Sequence, residues 1–376
     1  MKKLALLPLI IASFVQMSYS QIPDLYLGLT PPGNTPEVFA PGIVSLPGRN
    51  ERAITFSPSG HDIFFAIGDW PLRSTIYIKY QDSAWSNPDT ASFSIGHSVD
   101  EPFFSMDGNR IYYYAYQPNS MTNADIYYSE NDGDSWSAPI SVGSTLNTTG
   151  DEFHPNIVND GSIYFANSAG KTYRAQYSDG SFLPRVKLPN NVNSGIWPDH
   201  YVAPDESYMI FTSSMSGGFG SSDLYVSFRN FDKSWTTPQN FGNTINTSGY
   251  EGSGDVTPDG KYMTFDNIVD IYWVKIDNII DSLKAISGVV TSVKIIPDNQ
   301  RLNIFPNPGN GQFTLTFASS ICKTGIAEIS NSEGKVIFKR TVVNDEIIDL
   351  TGNPKGIYFL CLYIDKEVLN KKLIIQ

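Results

Sequence analysis

Val256-Thr257-Pro258-Asp259-Gly260 followed by Tyr262-Met263-Thr264-Phe265 reads as a tight turn in front of an aromatic strand, and the chain writes this unit five times. The other copies are Phe56-Ser57-Pro58-Ser59-Gly60 before Ile63-Phe64-Phe65-Ala66, Phe104-Ser105-Met106-Asp107-Gly108 before Ile111-Tyr112-Tyr113-Tyr114, Ile157-Val158-Asn159-Asp160-Gly161 before Ile163-Tyr164-Phe165-Ala166, and Val202-Ala203-Pro204-Asp205-Glu206 before Tyr208-Met209-Ile210-Phe211. Proline fixes φ, aspartate offers a side-chain acceptor and glycine tolerates positive φ, which together make a hairpin turn. An extended stretch precedes each turn. A third strand follows each unit, as in Thr75-Ile76-Tyr77, Asp125-Ile126-Tyr127, Thr172-Tyr173, Asp223-Leu224-Tyr225 and Asp270-Ile271-Tyr272. A fourth is expected to open with an aromatic and soon meet a proline, as in Trp85-Ser86-Asn87-Pro88, Trp136-Ser137-Ala138-Pro139, Phe182-Leu183-Pro184 and Trp235-Thr236-Thr237-Pro238.

Four strands recurring roughly every 45–54 residues is the signature of propeller blades. The last unit lacks a fourth strand, and Glu37 to Val44 has the form to supply it, closing the ring from the N-terminal side. The expected fold is therefore all-β: a five-bladed β-propeller over residues 21–275, with six blades the less favoured count, then a linker over 276–300 that includes a short helix or connector at Ile276–Ala285, then a small Ig-like β-sandwich over 301–376.

The propeller units resemble the TolB-type, WD40-like repeat family, whose signature is the Ser-Pro-Asp-Gly turn before an aromatic strand. The resemblance covers about residues 36–275 and implies the fold; the motif supplies turns and packing, not chemistry. Ser129-Glu130-Asn131-Asp132-Gly133-Asp134-Ser135-Trp136 is similar to the Asp-box of sialidase-type propellers, a structural hairpin on the outer rim, with Asn131 where aspartate is usual.

The C-terminal segment carries Leu302-Asn303-Ile304-Phe305-Pro306-Asn307-Pro308, then Asn331-Ser332-Glu333-Gly334-Lys335, Lys355-Gly356-Ile357-Tyr358 and a basic-then-aliphatic end, Lys371-Lys372-Leu373-Ile374-Ile375-Gln376. Alternation and turn spacing alone give a run of short strands. The motifs resemble the C-terminal sorting domain of type IX secretion cargo, which implies the type IX machinery as partner and removal of the domain or surface attachment after transit. At the other end, Lys2-Lys3, the apolar run Leu4–Val15 and Ser18-Tyr19-Ser20 have the form of a signal peptide over residues 1–20, the run being too short to span a bilayer. The expected location is thus the exterior or the outer cell surface, reached through the periplasm, with no transmembrane segment.

A net charge of −12 argues against nucleic acid or an anionic membrane surface as partner, since both need a basic patch. The two cysteines, Cys322 and Cys361, either pair after export or stay buried thiols. No glycine-rich phosphate loop, nucleophile elbow or zinc spacing is present.

Innermost propeller strands line the channel, so residues ahead of each turn reach its mouth. There the sequence places Glu51, Glu101, Glu152, His154, Trp197, Asp199, His200, Glu251 and Asp255 as candidate ligand-binding residues. Clustered carboxylates can hold Ca²⁺, attract a cation or, beside an aromatic, bind a sugar; equally, they can satisfy neighbouring backbone N–H groups. No other cofactor is expected. Arg49, Arg52, Arg73, Arg110, Arg174, Arg185 and Arg229 share no blade-to-blade register of the kind a sialidase needs. Two functions follow: a non-catalytic binding propeller for glycan or protein, or a glycoside hydrolase or lyase using mouth carboxylates in the manner of a sialidase or a five-bladed glycosidase. The first is the favoured expectation.

Overall fold

A computed structural model describes residues 25–116, 123–133, 135–193, 199–291, 302–317, 324–364 and 367–376. The signal-peptide segment, Trp197 and Cys322 lie outside the described residues. Among the described residues of 37–275, five sheets share one plan, and Tyr177–Ser178 with Ser181–Phe182 adds a two-stranded sheet. The innermost strands are Glu51–Phe56, Val99–Phe104, Glu152–Ile157, His200–Val202 and Gly252–Val256. Each pairs antiparallel with the aromatic strand after its turn, which pairs with a third strand further out. The innermost strands touch in cyclic order, first to second and so on to the fifth, which returns to the first. That ring of sheets is a propeller.

The aromatic strands do not alternate in hydrophobicity because both of their faces are buried. In Asp62–Ile67, Phe65 packs toward the fifth sheet with Ile54, Phe39 and Trp273, whereas Phe64 packs toward the second with Phe104 and Tyr113. Similar apolar clusters fill the remaining gaps between neighbouring sheets. In four turns a glycine takes the left-handed position (Gly60, Gly108, Gly161 and Gly260, φ 72–78°). Glu206 holds it in the fourth, at φ 59°. That conformation costs a non-glycine residue about 1–2 kcal/mol. Here the carboxylate gains Arg174 Nε at 2.6 Å and Arg229 Nη1 at 2.8 Å.

The fourth strands differ from the expectation. The aromatic does not open them. Trp85 pairs with Tyr80 and Phe182 with Tyr177, while Trp136 bridges Asn131 and Trp235 bridges Arg229. Each aromatic thus closes a small hairpin at the end of the third strand. The proline then breaks the ladder, since it has no N–H to give. The fourth strands Asp89–Thr90, Ile140–Ser141, Val186–Lys187 and Gln239–Asn240 begin after it. In the fifth sheet Glu37–Val38 takes the outer place, opposite Trp273 and Tyr272. It is shorter than the segment 37–44, because Ala40 turns the chain at φ 46°.

Asp277–Ile286 is an α-helix. Beyond it lie two sheets, one of Leu302–Phe305, Gln312–Phe317 and Glu346–Asp349, the other of Val336–Val343, Thr324–Asn331, Gly356–Ile364 and Glu367–Ile375. They enclose a core that includes Phe313, Leu315, Ile329, Leu360, Leu362 and Leu373. Asn307, between the two prolines, donates to Lys372 O at 2.6 Å and accepts from Ile374 N at 2.9 Å, so this motif pins the terminal strand. Among the described residues no helix is long and apolar enough to cross a membrane.

Phe39 is fully buried, edge-on to Phe56 and Trp273, just past the strand that completes the fifth sheet. Phe39→Ala is expected to cost about 3–5 kcal/mol in denaturant unfolding of the propeller. A loss below about 1 kcal/mol would show that the closure does not depend on this ring.

Candidate functional site

Counting back from the five turns places Ala53, Glu101, His154, Asp199 and Ser253 at one equivalent position of the innermost strands. In four of these strands the ladder slips there by one residue, a β-bulge, and Ala53, Glu101, His154 and Ser253 take φ of 49, 55, 53 and 47°. A bulge re-aims side chains. Three of these converge: ligand atoms of Glu101, His154 and Asp199 lie within 4.8 Å of one another.

His154 bridges the two acids. Its Nδ1 lies 2.9 Å from Glu101 Oε2 and its Nε2 2.6 Å from Asp199 Oδ1. The His154 backbone N–H also donates to Glu101 Oε2 at 2.9 Å. Arg52 closes the other side, with Nη1 at 2.9 Å from Asp100 Oδ2 and 3.1 Å from Glu101 Oε1, and Nη2 at 3.3 Å from Asp199 Oδ2. Arg73 and Tyr114 both donate to Asp100, and Tyr250 and the Ser253 backbone donate to Asp199. Gly252 makes room for this: a Cβ there would fall 2.0 Å from the Tyr250 hydroxyl.

Burial alone would lower the pKa of the His154 imidazole, but the Asp199 and Glu101 charges outweigh it and raise the value to about 10. Burial would raise Asp199, yet His154 and Arg52 hold its carboxyl well below the usual range. Asp100 is lowered in the same way by Arg52 and Arg73. Asp266, 3.8 Å from Arg52 Nε, goes the other way, raised by burial.

On one side of this plug lies a cavity of about 470 Å³. Trp70, Tyr114, Phe153 and Tyr250 wall it, and Arg52, His154, Asp199 and Asp266 lie at its floor. On the turn side a much smaller space of about 40 Å³ is lined by His200, Tyr201 and Asp255. There burial pushes Asp255 up to about 7, against the Val256 N–H and Thr55.

The other sequence candidates have contacts of their own. Glu51 also lines the larger cavity but pairs with Arg49 at 2.6 Å. Glu152 accepts from the Thr148 N–H and hydroxyl, and Glu251 from the same groups of Thr247. Both belong to a repeated Asn-Thr-x-x-x-Glu loop, in which Asn147 and Asn246 pair with the backbone of Ile126 and Leu224 as a strand residue would. His200 packs its ring 6.1 Å from that of His154. Sequence reasoning missed Arg52 and Arg73 as partners of Asp100, together with Tyr114, Tyr250 and Asp266. The aligned turns are the signal that places Arg52 and Asp100 at equivalent positions. A cation such as Ca²⁺ would need oxygen ligands around open space. Here the protonated imidazole already stands between the two carboxylates, with both nitrogens engaged.

Residues 303–376 match the family model described as the secretion system C-terminal sorting domain. The C-terminal sandwich is a sorting domain. No curated protein matches the chain. Solved structures similar to it include TolB from Acinetobacter baumannii, 13% identical over 59% of this chain and 53% of that one, TM-score 0.39. A putative TolB from Agrobacterium tumefaciens is 12% identical over 78% and 83%, TM-score 0.39. An α-L-arabinofuranosidase from Podospora anserina in complex with cellotriose is 13% identical over 64% and 97%, TM-score 0.42. The chain spans about half the length of the first of these. The sheet order and the ring of contacts establish the propeller, and the sorting domain follows it in sequence.

His154→Gln is expected to destabilise the protein by about 3–5 kcal/mol, because it strands buried carboxylates. The imidazole is held at a raised pKa, so its contribution is full below about 6.5 and declines as pH rises to about 10. The stability gap between wild type and variant should narrow over that window in denaturant titrations. A gap independent of pH there would contradict the ion-paired assignment.

Proposed function

We propose that this chain is exported to the cell surface or beyond by a type IX secretion system reading its sorting domain, and that the propeller binds a glycan or protein ligand at the aromatic-walled cavity without transforming it. The observation that carries the reading is the pairing of the channel carboxylates. Glycoside hydrolysis needs one carboxyl that holds a proton and one that is ionised, about 5–9.5 Å apart with the sugar between them. Glu101 and Asp199 have the His154 ring between them instead. Asp199, held low, has no proton to give at neutral pH.

What is left to a ligand is the wall. Trp70 is 63% exposed at the rim, and Tyr114 and Phe153 meet edge to face, centroids 4.9 Å apart. Aromatic walls with a few polar groups are the usual make-up of a small-ligand site.

A panel of glycans and peptides, tested against the full chain with binding and released reducing sugar scored together, checks this. Binding without release, weakened about tenfold or more by Trp70→Ala, is the expected result. Sugar release that disappears in Asp266→Asn would replace the binding reading with a hydrolase.

A further inference from the structure

The charges around the mouth cavity are unequal. Arg52, Arg73 and His154 are matched by Asp100, Glu101 and Asp199, and Glu51 is matched by Arg49. Asp69 and Asp266 also line the cavity and stand beyond that balance. Asp69 takes a hydrogen bond from Asn50 at 2.5 Å, a neutral donor. Asp266 is 1% exposed; its Oδ1 accepts from Ile268 N at 3.0 Å, but its Oδ2 receives no hydrogen bond, with Arg52 Nε no closer than 3.8 Å. Glu51, fully buried, repeats the situation: Oε1 takes Arg49 and Leu46, while Oε2 has no donor. A buried carboxylate oxygen without a donor is costly and rare in folded proteins.

The walls fit the same partner. Tyr114 directs its hydroxyl to Asp100 and Tyr250 to the floor carboxylate Asp199, and both tyrosines line the cavity. Phe153 and Trp70 complete the enclosure. Aromatic faces around buried acceptors favour a cation, which gains from the ring quadrupoles and from charge-assisted hydrogen bonds together. An anionic ligand would face the surplus carboxylates, and the whole chain, at −12, repels anions at long range.

Resting on the reading of this mouth as a binding site, we infer that its ligand presents a protonated amine or guanidinium, held by Asp266 inside the ring of Trp70, Tyr114, Phe153 and Tyr250. The head group belongs either to a basic side chain or to an amino sugar; the chemistry of capture is the same for both.

Matched probes on the full chain test the inference. Nα-acetyl-lysine amide and Nα-acetyl-arginine amide are compared with Nα-acetyl-norleucine amide, and glucosamine with glucose, by calorimetry and by quenching of tryptophan fluorescence. The charged member of at least one pair should bind about tenfold more tightly than its neutral partner, and Asp266→Asn, which keeps the Oδ1 contact, should erase that difference. The peptide and sugar arms report which source carries the head group. If neutral and charged partners bind equally and Trp70→Ala weakens both, the mouth is a binding site but the cationic assignment is wrong. If panel ligands bind with no effect of Trp70→Ala and no probe quenches tryptophan, the site itself is misplaced and both readings fall. The wild-type probe comparison needs no variant, so a poorly folding Asp266→Asn protein does not rescue the inference.

Discussion

His154 stands between Glu101 and Asp199 with a ring nitrogen on each carboxylate, and Arg52 reaches both acids on the other side. These side chains come from the first four sheets, and Tyr250, Ser253 and Asp266 bring the fifth into the same network. Each innermost strand depends on its neighbours to neutralise what it carries. Buried ion pairs add little net stability, since desolvation offsets the attraction, but removing one member leaves a stranded charge. The left-handed residues at the bulges, costing about 1–2 kcal/mol each, are tolerated where side chains must turn toward the axis.

The same pairing shapes the cavity. Because His154 and Arg52 stand between Glu101 and Asp199, the larger cavity ends on these side chains. Glu101 and Asp199 are committed to His154 and Arg52, and Trp70, Tyr114, Phe153, Tyr250 and Asp266 line the cavity beside them. The sorting domain at residues 303–376 and the ring of sheets before it are separate parts of the sequence.

The repeat was legible because each turn needs the same residue types for the same backbone reason, and because strands buried on both faces read as unbroken aromatic runs. The edges of the fourth strands were less legible. An aromatic before a proline marks a hairpin tip as readily as a strand start, and only pairing partners separate the two. In the site, Glu101, His154 and Asp199 could be listed from their distance to the turn, but so could Glu152 and Glu251, which hold their own loops through Thr148 and Thr247. A bulge of one residue decides which side chain meets the axis, and composition does not encode it. Arg52 and Arg73 looked unrelated in sequence because their shared partner, Asp100, lies on a different sheet from Arg52.

The protonation state of His154 tests this account most directly. Nitrogen-15 NMR of histidine-labelled protein, with the His154 signals assigned by their loss in His154→Gln, reads it without relying on stability. His154 is expected to stay an imidazolium from pH 6.5 upward and to titrate only near 10. A neutral imidazole at pH 7.5, titrating near the ordinary 6.5, would contradict it. It would also return Glu101 and Asp199 to the pool of groups free for chemistry.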